Sequence, residues 1–288
     1  MTNSWKIAGG LALALILGCK GSQPQERLFS AEEITDRAER HRKVGRTDAA
    51  LRDLLRAHAL AEGTDNRKEV ARIANEIAGV YYSDGDFESA LKYLKEAEEI
   101  ARERKDLDLL AVVLGNIGGV HSAQNKLDLA QAAYEEALSL DEKTKNKRGR
   151  AAHLNNLAML HRKQGQKEKA MSLLQDALDI NQAIKNEVGA ATNLCNIASI
   201  HEAMGQPEQA IEFYKQALEV DKAIENFQGV GLDLSNIAHL YEGLGKNDLA
   251  IEYYARAERV NLLIGRDDRA AQDREAIERL RKKLPAAP

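Results

Sequence analysis

A strict internal repeat constrains this chain more than any other feature, because the sequence recurs every 40 residues in six copies without a slip. One position of the repeat is alanine in every copy, as Ala50, Ala90, Ala130, Ala170, Ala210 and Ala250. A position seven residues later is again alanine throughout, as Ala57, Ala97, Ala137, Ala177, Ala217 and Ala257. Small residues that recur at a fixed period indicate a solenoid, in which each unit packs on its neighbours.

Each copy carries the pattern of two amphipathic helices. In the fourth copy Leu154 and Ala158 lie four residues apart on one helical face, and Ala170 opens the packing face of a second helix. Between the two helices stands a residue type that tolerates left-handed backbone, namely Gly45, Gly85, Asn125, Gly165, Gly205 and Gly245. Between residues 25 and 284 the only proline is Pro207. The sequence therefore predicts an all-α fold.

The repeated motif resembles the tetratricopeptide repeat (TPR). The family pattern of an apolar, a small and an aromatic residue is present as Ile77, Ala78 and Tyr81, and its alanine–aromatic pair as Ala210 and Tyr214. The long period is similar to that of kinesin light chains and related peptide-binding adaptors. The resemblance implies an all-α, right-handed solenoid of six helix-turn-helix repeats with a C-terminal capping helix.

Five segments are expected along the chain. Residues 1–19 are an export signal and residues 20–29 are a polar, flexible tether. The six repeats occupy residues 30–266, and a capping helix follows at 267–284. Residues 285–288 form a short tail.

The first segment has the features of a lipoprotein signal. Lys6 precedes eleven apolar residues at 7–17, fewer than the roughly 20 that span a bilayer as a helix. The run that ends at Cys19 resembles the lipobox of bacterial lipoproteins, which implies cleavage before Cys19 and its modification with lipid such as palmitate. Because Lys20 follows rather than aspartate, the resemblance implies an outer-membrane anchor in the cell envelope, facing the periplasm. An ordinary signal peptide with a chance cysteine is the alternative.

Composition and motifs argue against several classes of function. The chain has 41 Lys+Arg against 45 Asp+Glu, a formal charge of -4, whereas a nucleic-acid binder needs a basic face. A strict repeat presents one group many times, and the sequence contains no zinc-protease, paired-cysteine or phosphate-loop motif. We therefore expect no enzyme activity, no catalytic residue, no cofactor and no metal. His121, His161 and His201 share a column with Tyr81 and Tyr241, so they are expected to pack between helices.

One polar column departs from the packing pattern. Asparagine recurs in the last four copies, as Asn116, Asn156, Asn196 and Asn236. Inside a helix each asparagine costs roughly 0.6 kcal/mol relative to alanine, so four in register require compensation. Helical geometry turns Asn156 about 150° from the packing face, towards the inner surface that first helices line in TPR proteins. Other residues of this stripe are Val112, Met159, Lys163, Leu232 and His239.

The asparagine column predicts a binding surface for an extended peptide. An amide offers both a donor and an acceptor, so a row of amides suits a peptide backbone, while apolar neighbours contact its side chains. The resemblance to kinesin light chains implies the same role for these positions. The alternative is that the amides bond between adjacent first helices. Asp36 and Glu76 replace asparagine in the first two copies, which favours a partner that is neutral in the middle and basic at one end.

These observations predict a lipid-anchored scaffold that holds a segment of a partner protein in a concave groove. Two alternatives are an assembly factor for an outer-membrane complex, similar to pilotin lipoproteins, and an adaptor subunit of a periplasmic protease.

Overall fold

A computed structural model describes residues 30–282, which form thirteen α-helices and no strand. The predicted signal with Cys19, the tether and the tail lie outside these residues. The helices are α1 (Ala31–Lys43), α2 (Thr47–Gly63), α3 (Arg67–Ser83), α4 (Phe87–Arg104), α5 (Leu107–Ala123), α6 (Leu127–Thr144), α7 (Lys147–Lys163), α8 (Lys167–Ala183), α9 (Glu187–Ala203), α10 (Pro207–Ala223), α11 (Phe227–Gly243), α12 (Asn247–Leu263) and α13 (Asp267–Arg281). The all-α prediction is confirmed.

Repeats 1 to 6 are the consecutive pairs from α1–α2 to α11–α12. Each helix packs on the next, and first helices also touch across repeats, as α3 does with α5, α5 with α7 and α7 with α9. No pair of second helices in residues 30–282 touches to the same extent. The stack is therefore narrower along its first helices, which places them on the inner side.

The alanine columns explain this close packing. All twelve alanines are completely buried, with 0 % exposure. A side chain reduced to one methyl group lets the two helices of a repeat approach closely. In the column of Tyr81, His121, His161, His201 and Tyr241, Tyr81 stacks on Tyr93 of the second helix at 5.8 Å and His201 on Phe213 at 5.2 Å between ring centroids.

The turns alternate between two types. Inside each repeat the predicted column takes positive φ, from 71° at Gly205 to 79° at Gly165, with Asn125 at 61°. Between repeats the left-handed position is glycine only at Gly265, before α13. In the other junctions it is a larger residue with φ of 51–58°, namely Asp65, Lys105, Lys145, Lys185 or Glu225. The first helix after such a turn begins at a capping residue, and its Asn66, Asp106, Asn146, Asn186 or Asn226 side chain accepts a backbone N–H.

Helix α13 closes the stack. Its Ala276, Ile277 and Leu280 are buried against repeat 6. Across residues 30–282, none of the helices combines the length and the apolar character needed to cross a bilayer.

Candidate functional site

The inner groove is the surface that the first helices present, with the asparagine column along its middle. Asn116 is exposed, and Asn156, Asn196 and Asn236 are half-buried on α7, α9 and α11. Among the other predicted contacts, Val112, Lys163, Leu232 and His239 are exposed and Met159 is half-buried. The structure thus brings all nine predicted residues onto accessible faces of first helices. Their binding of a peptide stays a prediction.

Two of the four amides bridge adjacent first helices. Asn116 Nδ2 donates to Asn75 Oδ1 at 2.7 Å. Two repeats later, Asn196 Nδ2 donates to Asn155 Oδ1 at 2.8 Å. For these two residues the structure shows the bonds between first helices that the sequence left as the alternative.

The other two amides have no equivalent partner. The position that Asn75 and Asn155 occupy is Gly115 opposite Asn156, which has no side chain to accept a hydrogen bond. Opposite Asn236 it is Cys195, whose thiol donates to Asp233 Oδ1 at 3.1 Å. The groove therefore alternates between bridged amides and amides that remain available.

A cavity of about 250 Å³ adjoins Asn156 between α3, α5 and α7. Gly79 and Gly119 leave this space open, and the ring of Tyr134 forms part of its wall. That ring requires the neighbouring Gly118, since a Cβ there would lie 2.6 Å from Tyr134 Cε1. Burial raises the pKa of Tyr134 to about 12. The cavity has the volume to hold a small side chain.

A second cavity of about 450 Å³ lies between α9 and α11, beside Asn236. Val188 and Leu232 stand at its rim, 59 % and 37 % exposed. Asp221 and Asp233 are also among its lining residues. Each of the two cavities is lined by one bridged and one available amide, Asn116 with Asn156 in the first and Asn196 with Asn236 in the second.

The first two repeats give the groove a different character. Arg72 stands at the position of Val112 and pairs with Glu69 and Glu76 on its own helix. Burial raises the pKa of the Glu76 carboxyl. A cavity of about 790 Å³ here is lined by polar and charged groups, including Glu32, Glu69 and Arg72. This end therefore offers charged rather than amide contacts.

Two predicted contact residues also have partners within the chain. Lys163 Nζ donates to Ser122 O at 2.7 Å, which ties the end of α7 to the end of α5. His239 Nε2 lies 3.9 Å from Glu202 Oε1. A bound peptide would have to compete for these two side chains.

Family comparison agrees with the helical geometry. The tetratricopeptide repeat family matches residues 31–103, 109–183, 149–223 and 187–262, which together make up most of the chain. The chain belongs to the tetratricopeptide repeat family. No curated protein matches the sequence.

Several solved TPR-like structures share the fold. BtubC (BKLC) from P. vanneervenii has a TM-score of 0.63 at 20% identity, over 82% of this chain and 93% of that one. A Rap protein complexed with competence and sporulation factor has a TM-score of 0.66 at 15% identity, over 88% and 75%. A putative kinesin light chain from Podosopora anserina has a TM-score of 0.55 at 18% identity, over 68% and 96%. At these identities the likeness shows the fold alone.

This TPR stack also has buried polar contacts between repeats that the sequence analysis missed. We call the two residues involved a facing pair; one lies late in a second helix and the other twelve positions later in the next first helix. His153 Nδ1 lies 2.5 Å from Asp141 Oδ2 between repeats 3 and 4. Two further pairs are hydrogen-bonded in a similar way: Asn181 Nδ2 donates to Asn193 Oδ1 at 2.7 Å, and Asn261 Nδ2 donates to Asp273 Oδ2 at 2.8 Å.

Glycine makes room for these TPR junction contacts. A Cβ at Gly149 would lie 2.3 Å from Asp141 Oδ1, and a Cβ at Gly189 would lie 2.7 Å from Asn181 Cγ. The signal available in the sequence is a polar residue at one fixed position in successive copies: Asp141, Asn181, Asp221 and Asn261.

One group of side chains in residues 30–282 brings three potential metal ligands together, on the outer helices α2 and α4 of the TPR stack. His58, Glu62 and Glu96 have ligand atoms within 4.8 Å of one another. The carboxylates approach opposite ring nitrogens, however, with Glu62 3.5 Å from Nδ1 and Glu96 3.3 Å from Nε2. In the next repeat Arg102 bonds two glutamates at the same surface. We assign the cluster as polar contacts between α2 and α4.

Proposed function

We propose that the inner groove binds an extended segment of a partner protein through Asn156 and Asn236. The observation that carries the proposal is the alternation of the asparagine column. Of its four amides, only these two lack a side-chain acceptor on the first helix of the preceding repeat. Neighbouring helices pack about 8–10 Å apart. Two available amides that are two repeats apart would therefore contact residues roughly six positions apart in an extended chain.

The character of the groove supports a partner segment of defined composition. Over repeats 3 to 6 it is neutral and partly apolar, with Val112 and Leu232 exposed. Towards repeat 1 it carries Glu32 and Asp36, so basic residues suit that end of the segment. The solved complex of a Rap protein with competence and sporulation factor supports ligand binding by this fold.

The partner segment can be tested by crosslinking in the cell envelope. We expect Asn156→Ala/Asn236→Ala to lose at least tenfold in the yield of groove-dependent crosslinks, because both available amides are removed. Asn116→Ala/Asn196→Ala is the matched control, which removes the bridged amides and is expected to retain most of the yield. Equal yields from both variants would assign the whole column to structure. The identity of the captured protein, a secretin, a protease or another protein, decides between the pilotin-like and protease-adaptor alternatives.

We also propose that lipid on Cys19 anchors this scaffold to the outer membrane, facing the periplasm. The proposal rests on the lipobox-like run that ends at Cys19. Each buried CH₂ of an acyl chain contributes about 0.8 kcal/mol of membrane affinity, so several chains give a lasting anchor. We expect Cys19→Ala to move the protein from the membrane to the soluble fraction and to abolish labelling with palmitate. Unchanged fractionation and no labelling of the wild type would contradict the anchor.

A further inference from the structure

The facing pair between repeats 5 and 6 differs chemically from the other three. It consists of Asp221 on α10 and Asp233 on α11, so both members are acids. The other pairs each contain a nitrogen group that can donate, as in His153 with Asp141. Two ionised carboxylates can only accept hydrogen bonds. This junction therefore lacks the donor that its equivalents have.

The neighbouring side chains donate only some of the hydrogen bonds that the two carboxylates can accept. Asp233 is 1 % exposed, and its Oδ1 accepts from the Cys195 thiol. Its Oδ2 is buried without a hydrogen-bond partner. Asp221 Oδ1 accepts from Asn226 Nδ2 at 2.9 Å. A Cβ at Gly229 would lie 1.9 Å from Asp221 Oδ2, so this carboxylate is pressed against the first turn of α11.

No positive charge faces the pair from the helices packed around it. From α9 comes Cys195, and from α10 comes Tyr214, whose pKa is raised mainly by burial and also by nearby acidic groups that include Asp233. From α12 comes the neutral Asn261, beside Gly231. Within residues 30–282, neither aspartate has an ion pair with lysine, arginine or histidine.

We propose that Asp233 carries a proton in the folded protein, and that loss of this proton weakens the contact of Asp233 on α11 with Cys195 on α9, beneath Asn196 and Asn236. Asp233 Oδ2 is buried without a hydrogen-bond partner, and both aspartates also line the cavity beside Asn236. The consequence for regulation of the groove rests on the proposed function. The titration itself does not.

The direction of the pH dependence follows from the pKa of Asp233. Burial, with the nearby Asp221 charge, raises this pKa from its ordinary value to about 7. An unfolded aspartate has a pKa of about 3.9, so between the two values the folded chain binds the proton more strongly. The stabilisation from this proton is complete below about pH 4 and is lost as the pH rises through about 7.

Thermal unfolding of the full chain in detergent tests the proton on Asp233. We expect the midpoint of the wild type to fall by about 5 °C or more between pH 5 and pH 8.5. Asp233→Asn should flatten this slope. At pH values above 7 it should also raise the midpoint temperature, because the introduced amide supplies the missing donor. The matched control is Asp86→Asn, since hydrogen bonds from Ser89 lower the pKa of the Asp86 carboxyl and asparagine can cap α4 in its place. This control should keep the wild-type slope, and equal slopes for wild type and Asp233→Asn would overturn the proposal.

Amide hydrogen exchange tests the loosening of the groove. After correction for the intrinsic pH dependence of exchange, we expect α9 and α11 of the wild type to exchange at least threefold faster at pH 8 than at pH 6. Helices α3 and α5 should not change, and Asp233→Asn should show no acceleration. Equal exchange of α9 and α11 at both pH values would overturn the structural link. Neither measurement uses a partner, so either outcome is independent of whether the groove binds a peptide.

Discussion

The two ends of the stack solve the same packing problem with different side chains. Between repeats 1 and 2 the facing positions are Ala61 and Ile73, and between repeats 2 and 3 they are Ala101 and Val113, all buried and apolar. From the junction of repeats 3 and 4 onward, the facing positions are polar and still buried. The backbone arrangement is the same in both halves, so this geometry does not dictate the chemistry of the junction.

The difference shows what each solution contributes. Apolar side chains stabilise a junction by burial alone and accept many neighbours. Burying a polar group costs desolvation free energy, and a hydrogen bond offsets this cost only when the correct partner is present. In a chain of near-identical units, a repeat that packs on the wrong neighbour keeps its apolar contacts but would leave Asp141 or His153 unpaired. We infer that the polar half favours the correct order of repeats, and that the apolar half contributes more stability per junction.

The largest expected effect comes from breaking one polar junction. Asp141→Ala leaves the His153 ring buried without its acceptor, and we expect a loss of about 3 kcal/mol in the free energy of unfolding. The triple change Asp141→Ala/Gly149→Leu/His153→Val copies the apolar junction of Ala101, Leu109 and Val113. Because it removes both polar partners and fills the space, it is expected to recover this loss. Urea denaturation of the three proteins measures the comparison.

The triple variant also decides whether a polar junction can be replaced by an apolar one. If it stays as unstable as Asp141→Ala, the two kinds of junction are not interchangeable and the backbone has adapted to each. If it matches or exceeds the wild type while folding more slowly or into mixtures, the polar pair contributes order rather than stability.

The sequence predicted the architecture because its signals are local. The alanine columns and the turn column each report on one helix or one turn, and period alone sets the stacking. The facing pairs were missed because they join residues on different helices, and Asp141 looks like an ordinary surface residue near the end of α6. The alternation in the groove was also missed, since whether Asn156 has a hydrogen-bond partner depends on Gly115 in the preceding repeat.

The smallest expected effect sharpens the same contrast within the groove. Asn116→Ala/Asn196→Ala removes two hydrogen bonds, at about 1 kcal/mol each, and gains roughly 0.6 kcal/mol of helix propensity per site. Asn156→Ala/Asn236→Ala gains the propensity without losing an equivalent bond. We therefore expect the second variant to be more stable than the first by about 1–2 kcal/mol in urea denaturation. Equal stabilities would contradict the alternation and leave all four amides with the same role. A gain in stability on removing Asn156 and Asn236, together with a loss of captured partner, would mean that these two amides serve an external chain at the expense of their own helices.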